Sequence, residues 1–356
     1  MKVFSFFLPQ FHTIPENDKW WGKGFTEWTN VKKAKPLFKG HKQPQEPLND
    51  NYYNLLEKKT VEWQTNLMKK YKVDGLIYYH YYFKGKLLLE KPAENLLKWK
   101  EIDQPFFFCW ANHTWYRSWE GSKELLMAME YGTEQDWEKH FQYLLPFFKD
   151  PRYEKKDNMP LLMIFDSTFK EKKDYMTYLD KRCKESGFDG LYLIETCFSE
   201  KEYSALHNHM QYPCKRIFIR EPSYSIYMYS KSLGYFPKRF LAKGLREFDA
   251  VFKTNLQKAR VFDGNKVYQT MIDFKGDSKC IRGGFFAWDN TPRHGNRGYI
   301  ITSPKYEMFK KFYQSISDQD YLFINAWNEW CEGMMLEPTK NEKYKYLEWI
   351  RDVKEQ

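Results

Sequence analysis

Eight short apolar runs recur along the 356-residue chain, each separated from the next by a longer segment with helical spacing. They are VFSFFL (3–8), GLIYY (75–79), PFFFCW (105–110), LLMIF (161–165), GLYLIE (190–195), HMQY (209–212), GGFFAW (283–288) and YLFI (321–324). Continuous apolar runs of this length belong to strands buried on both faces, as in a parallel sheet covered by helices. Between them lie amphipathic segments at 55–71, 134–148, 170–185, 237–255 and 305–315, with 342–354 closing the set. Apolar residues at helical spacing mark them, as at Leu67, Met68 and Tyr71. Eight such alternations predict a single (β/α)8 barrel over 1–356, with long loops at the carboxyl ends of the strands. An open doubly wound sheet would want a glycine-rich phosphate turn after an early strand, and the chain has neither G-x-G-x-x-G nor G-x-x-x-x-G-K-[ST]. The stretches 9–50 and 213–236 read as long loops over one face of the barrel.

Composition narrows the function. Aromatic residues make up 19% of the chain, more than a core of this size needs, and aromatic faces pack well on the C–H faces of sugar rings. A Phe- and Tyr-rich core under a lysine-rich surface explains the same excess. The net charge of +10 has no basic arm or nucleic-acid motif behind it; KKAK (32–35) and KEKKD (170–174) are the densest runs. Nucleic acid is therefore not an expected partner, while peripheral contact with an anionic membrane stays open. The six cysteines form no C-x-x-C pair and read as reduced, buried thiols. The run at 3–8 is too short for a signal segment, and no run approaches the roughly 20 apolar residues of a membrane helix. The expectation is a cytoplasmic protein without a transmembrane segment.

In such a barrel the site is assembled where the strands end. PQFH and WWGKGFTEW follow the first run, HYYF the second and ANHTWYRSWEG the third. DNTPRHGNRG follows the seventh and NAWNEWCEG the eighth. Glu329 and Glu332 are the candidate catalytic pair. A strand would send residues three apart to opposite faces, so the chain must turn after Asn328, and a helical turn pairs i with i+3. Retaining glycosidases hold two carboxyls about 5–5.5 Å apart, which such a turn allows. Like charge and burial would then split the two affinities for protons. A capping carboxylate beside a surface one fits the same spacing. The candidate substrate-binding set is His12, Trp28, His80, Tyr81, Asn112, Trp115, Arg117, Asp289, Arg293, Asn325, Trp327 and Asn328, with Trp110, Trp119, Trp288 and Trp330 as further stacking candidates. No metal or cofactor is expected: HNH (207–209) lacks a completing ligand set, DQD (318–320) precedes its strand, and no G-x-S-x-G occurs.

The ordered motifs FFLPQFHTIPENDKWWGKGFTEWTNV, DGLIYYHYYFKGKLLLEKP, WANHTWYRSWEG, FAWDNTPR and NAWNEWCEGMMLEP resemble the WbsX-like proteins of bacterial polysaccharide loci, relatives of the endo-α-mannosidases of glycoside hydrolase family 99. The resemblance spans nearly the whole chain. It implies a (β/α)8 barrel and catalytic carboxylates at Glu329 and Glu332. It further implies a retaining route through a 1,2-anhydro sugar, with Glu329 as base on the 2-hydroxyl and Glu332 as acid/base. Two positions depart from the pattern: His113 stands where a carboxylate is expected, and Cys331 where the hydrolases carry histidine. The expected function is a carbohydrate-active enzyme of surface-polysaccharide metabolism, a glycosyltransferase with glycosidase-type chemistry acting on an oligosaccharide or polysaccharide. A retaining endo-hydrolase of α-mannoside-like linkages and a non-catalytic polysaccharide-binding barrel are the alternatives.

Overall fold

A computed structural model describes residues 1–117, 124–210, 212–232 and 258–356. Its eight barrel strands are β1 (Lys2–Phe7), β2 (Gly75–Phe83), β3 (Phe106–Trp110), β4 (Met159–Ile164), β5 (Tyr192–Cys197), β6 (Cys214–Ile219), β7 (Cys280–Gly284) and β8 (Tyr321–Ile324). Each strand pairs in parallel with its neighbours in the chain. β8 returns to β1 with Ser5 opposite Ile324, which closes the (β/α)8 barrel. Most of the expected helices are present, at Lys58–Lys70, Glu134–Lys149, Lys172–Glu185, Tyr306–Ser315 and Lys345–Glu355. The one expected at 237–255 lies outside the described residues.

Two strands differ from expectation, for one physical reason. HMQY does not form the sixth strand: His209 and Met210 trail the helix Glu200–Asn208, and Gln211 lies outside the described residues. The sixth strand is CKRIFI, inside the supposed loop at 213–236, and Lys215 and Arg216 break its apolar run. β7 likewise begins three residues before GGFFAW, because it contains Arg282. The Arg282 guanidinium is buried behind the sheet, donating to the carbonyls of Met271 and Phe274. Charge inside a strand hides it from a search for apolar runs. The 9–50 excursion also carries two short helices, Pro15–Trp21 and Glu27–Lys33.

Aromatic rings fill the barrel. Phe4 packs on Phe107, Phe107 on Phe323, Phe323 on Phe218, Phe218 on Phe6 and Phe6 on Tyr79, with every centroid separation between 5.4 and 5.5 Å. Part of the aromatic excess therefore lines the barrel interior, below the mouth. Rings this wide need small partners opposite. At Gly75, opposite Phe4 in the ladder, an added Cβ would lie 2.2 Å from the Phe4 ring. Among the described residues no helix is long and apolar enough to cross a membrane.

Gly75→Ala should destabilise the fold by about 1–3 kcal/mol through overpacking. Urea unfolding monitored by tryptophan fluorescence measures this, and an unchanged midpoint would contradict the packing described.

Candidate active site

The chain leaves β8 at Ile324 and makes the turn that the Glu329–Glu332 spacing required. Asn328–Glu329 pairs antiparallel with Met334–Met335, and Trp330–Glu332 forms one 3-10 turn between them. Residues three apart eclipse in such a turn, so both carboxylates project to the same side. Gly333 closes it at φ 60°, where a Cβ would press on Asp289 at 3.0 Å. Glycine meets both demands.

Arg293 brings the two carboxylates together. Its Nη1 donates to Glu332 Oε1 at 2.7 Å and its Nη2 lies 3.7 Å from Glu329 Oε2. The same Nη2 is 3.0 Å from Oε2 of Glu27, a fully buried carboxylate in the helix Glu27–Lys33. One guanidinium thus faces three carboxylates. Glu332 is the most exposed of the three, and Trp288 donates to its other oxygen at 3.2 Å. Burial, and then the charge of Glu332, push the Glu329 carboxyl up to about 8, with Arg293 opposing. The two carboxyls thus sit in different surroundings: Glu329 is desolvated with a raised affinity for protons, and Glu332 is held by direct hydrogen bonds from Arg293 and Trp288.

Behind the turn, polar side chains hold it in place. Asn328 accepts from Leu8 N at 2.7 Å and donates to Leu8 O at 3.0 Å, which ties the turn to the end of β1. Buried Glu337 accepts from Trp330 Nε1, Gln64 and Tyr53, each at 2.7–2.8 Å. Cys331 turns away from the pocket and packs against the helix carrying Glu27, its Sγ 3.4 Å from the Glu27 carbonyl. Burial raises its thiol well above the usual range, as for an inert packing residue.

A pocket of about 320 Å³ opens over this turn, with Glu329, Glu332, Arg293, Tyr81, Trp115 and His113 in its wall. The other candidates sit elsewhere. His80 points outward from β2 onto His140 at 2.9 Å, because successive strand residues alternate faces and Tyr79 and Tyr81 take the inner one. Trp28 donates to Tyr53 O in an aromatic cluster, and Trp327 and Trp330 are fully buried. Trp110 faces the helices, donating to Tyr82 O. Trp119 lies outside the described residues. Asn112 joins the ends of β3 and β4 through bonds to Phe165 and Asp166. Arg117 pairs with Glu124 and with Trp20 O. Asp289 is occupied by His41, Gln43 and Thr291. His12 is buried outside the pocket wall, where desolvation lowers it to about 4. Asn325 bonds to Arg220 and to the Glu221 carbonyl. Strand-end polar residues thus divide into a few at the pocket and many that brace it.

With that geometry in view, the family model described as glycosyltransferase WbsX matches residues 3–350. The chain belongs to this WbsX family. Two curated relatives, both called uncharacterized protein WxcX and from strains of Xanthomonas campestris pv. campestris, are 28% and 27% identical over 99% of this chain. The chain spans about half of their length, 49% in each case. The endo-alpha-mannosidase of glycoside hydrolase family 99 from Bacteroides thetaiotaomicron superposes with TM-score 0.54 at 13% identity, covering 99% of this chain and 97% of that one. A protein described as glycoside hydrolase-like reaches 0.59 at 8% identity, covering 99% and 93%. At these identities the structural likeness concerns the fold.

The chain also has residues at this site that sequence reasoning passed over: Arg220, Asn17, Gln10 and Tyr79 line the pocket, and buried Glu27 holds Arg293 from behind. Glu27 follows a capping threonine, where glutamate is ordinary, so nothing in GFTEW marks it. Arg220 directly follows β6 and was hidden with that strand. Tyr79 and Tyr81 follow from strict alternation along GLIYYHYYF. No group of three or more His, Cys, Asp or Glu among the described residues could hold a metal ion.

Arg293→Met should cost about 3–5 kcal/mol, because it leaves buried carboxylates without their cation. Glu329, whose carboxyl burial raises, binds its proton more tightly when folded, so the folded state gains stability as pH falls. The loss measured by denaturant titration should therefore be smaller at pH 5.5 than at pH 8; equal losses would refute the bridge.

Proposed function

We propose that this chain is a carbohydrate-active enzyme that cleaves a glycosidic bond with retention and passes the sugar to an acceptor hydroxyl. The observation that carries this reading is the pair Glu329 and Glu332, bridged by Arg293 in the wall of a pocket with aromatic sides. The family description supports transfer, and the two-carboxylate arrangement supports glycosidase-type chemistry.

In the proposed route Glu329 takes the proton from the sugar 2-hydroxyl as O2 attacks C1. The C1–O bond to the leaving group breaks, and Glu332 protonates the departing oxygen. Glu332 then takes a proton from the acceptor, whose oxygen opens the 1,2-anhydro ring at C1, and Glu329 returns its proton to O2. Two inversions give net retention. A carboxyl with a raised affinity for protons is the stronger base toward a hydroxyl. The desolvation of Glu329 fits that task, and Arg293 limits how far the proton affinity rises. Water as acceptor would make the same steps a hydrolysis.

Turnover of α-mannosides and of the surface glycan should fall about a hundred- to ten-thousand-fold in Glu329→Gln and in Glu332→Gln. Full activity in both variants would overturn the assignment, and tight binding without wild-type turnover would make the barrel a binding module. NMR of the first-formed product should show the retained anomer, whereas inversion excludes the anhydro route. As base, Glu329 must be ionised, so kcat/KM should rise with pH through a midpoint above the ordinary glutamate value of about 4.3. A fall over that interval would exchange the roles.

A further inference from the structure

The same pocket holds a second arginine with different company. Arg220, at the end of β6, is 8% exposed and lines the pocket. Its Nη2 donates to Tyr79 Oη at 2.8 Å and approaches Asn325 Oδ1 at 3.4 Å. Nη1 is buried with no hydrogen-bond partner. Among the described residues no carboxylate lies within 4.0 Å of Arg220. The rings of Phe6, Phe165, Tyr79 and Phe198 surround the guanidinium carbon at 4.9–6.0 Å.

Arg152, equally buried, shows how this fold treats an arginine with a structural task. It forks onto both oxygens of Asp150 and donates to the carbonyls of Leu96, Trp99 and Ile102. Burying a cation without such a partner is costly. Aromatic faces offset only part of that cost. The remainder is a cost carried at a pocket wall, where an incoming anion removes it. Other buried polar groups in the same wall lack a hydrogen-bond partner too, among them both ends of the Asn17 amide and Nδ1 of His113. A sugar ring with hydroxyls beside an acidic group would satisfy Arg220, Asn17 and His113 together.

Resting on the carbohydrate reading above, we propose that the pocket takes an acidic sugar, a hexuronic acid unit whose carboxylate bonds to Arg220. A carboxylate fits better than a phosphate. Burial lowers the proton affinity of His113, and Arg293 is already committed to carboxylates, so Arg220 is the guanidinium with an open donor toward the ligand. A singly charged carboxylate matches that single cation and can accept from its open Nη1.

The test is equilibrium binding to the wild-type chain of methyl α-glycosides of glucuronic, galacturonic and mannuronic acids. Each is compared with its uronamide, its neutral hexoside and the hexose 6-phosphate. At least one uronate should bind about tenfold or more tightly than its own amide, as a charge-assisted bond replaces a neutral one. The preference should weaken with added salt, vanish in Arg220→Met and survive in Arg220→Lys. If Arg220→Met does not fold, Arg220→Lys and the acid-to-amide ratio of the wild type still decide. Equal binding of acid and amide overturns the acidic sugar and leaves the carbohydrate reading intact. Binding of no glycoside at all overturns both. Tighter binding of the 6-phosphate, or a full preference retained in Arg220→Met, also overturns the assignment.

Discussion

The contact between Arg293 and three carboxylates governs the rest of the site. Glu27, Glu329 and Glu332 come from two distant parts of the chain, and the guanidinium comes from a third. Without the cation, buried like charges would repel one another or neutralise by taking up protons. With it, the turn after β8, the helix Glu27–Lys33 and the segment after β7 are fastened at one point. Burial raises the affinity of Glu329 for its proton and the same contact opposes that rise, a balance suited to the acid–base role proposed for it.

Around that point the fold separates support from chemistry. Asn328, Glu337 and Cys331 face away from the pocket and hold the turn against β1, the 53–64 region and the helix of Glu27. The aromatic barrel interior closes the floor, with Phe6 and Tyr79 passing directly into the ring cage of Arg220. The pocket therefore has two differently treated arginines. Arg293 is saturated with charge and fixes the proposed catalytic pair. Arg220 is left with an open donor, and this asymmetry carries the inference of an acidic ligand.

Much of this was legible in the residues. The eight-fold alternation identified the closed barrel, and the i, i+3 glutamates identified the turn. Strands carrying internal charge were not legible: Arg216 and Arg282 break the apolar runs of β6 and β7, although the fold buries Arg282 by giving its protons to helix carbonyls. The loss of β6 concealed Arg220 in turn. Asn, Asp and Trp at strand ends were over-assigned to substrate for a related reason. A barrel mouth exposes many unpaired backbone groups, so residues such as Asn112 and Asp289 are needed to satisfy them whatever the chemistry. Residue type shows that a strand end is polar, and only the alternation of faces shows which side chain reaches the cavity. His80 and Tyr81, adjacent in sequence and opposite in placement, make the distinction plain.

The most direct test of Glu329 and Glu332 as the reacting pair is a crystal structure of the Glu332→Gln variant soaked with an oligosaccharide that the wild-type chain turns over. The scissile bond should span the pocket, with the 2-hydroxyl of one ring hydrogen-bonded to Glu329 and the bridging oxygen facing residue 332. An oligosaccharide seated elsewhere, or one whose 2-hydroxyl points away from Glu329, would contradict the assignment.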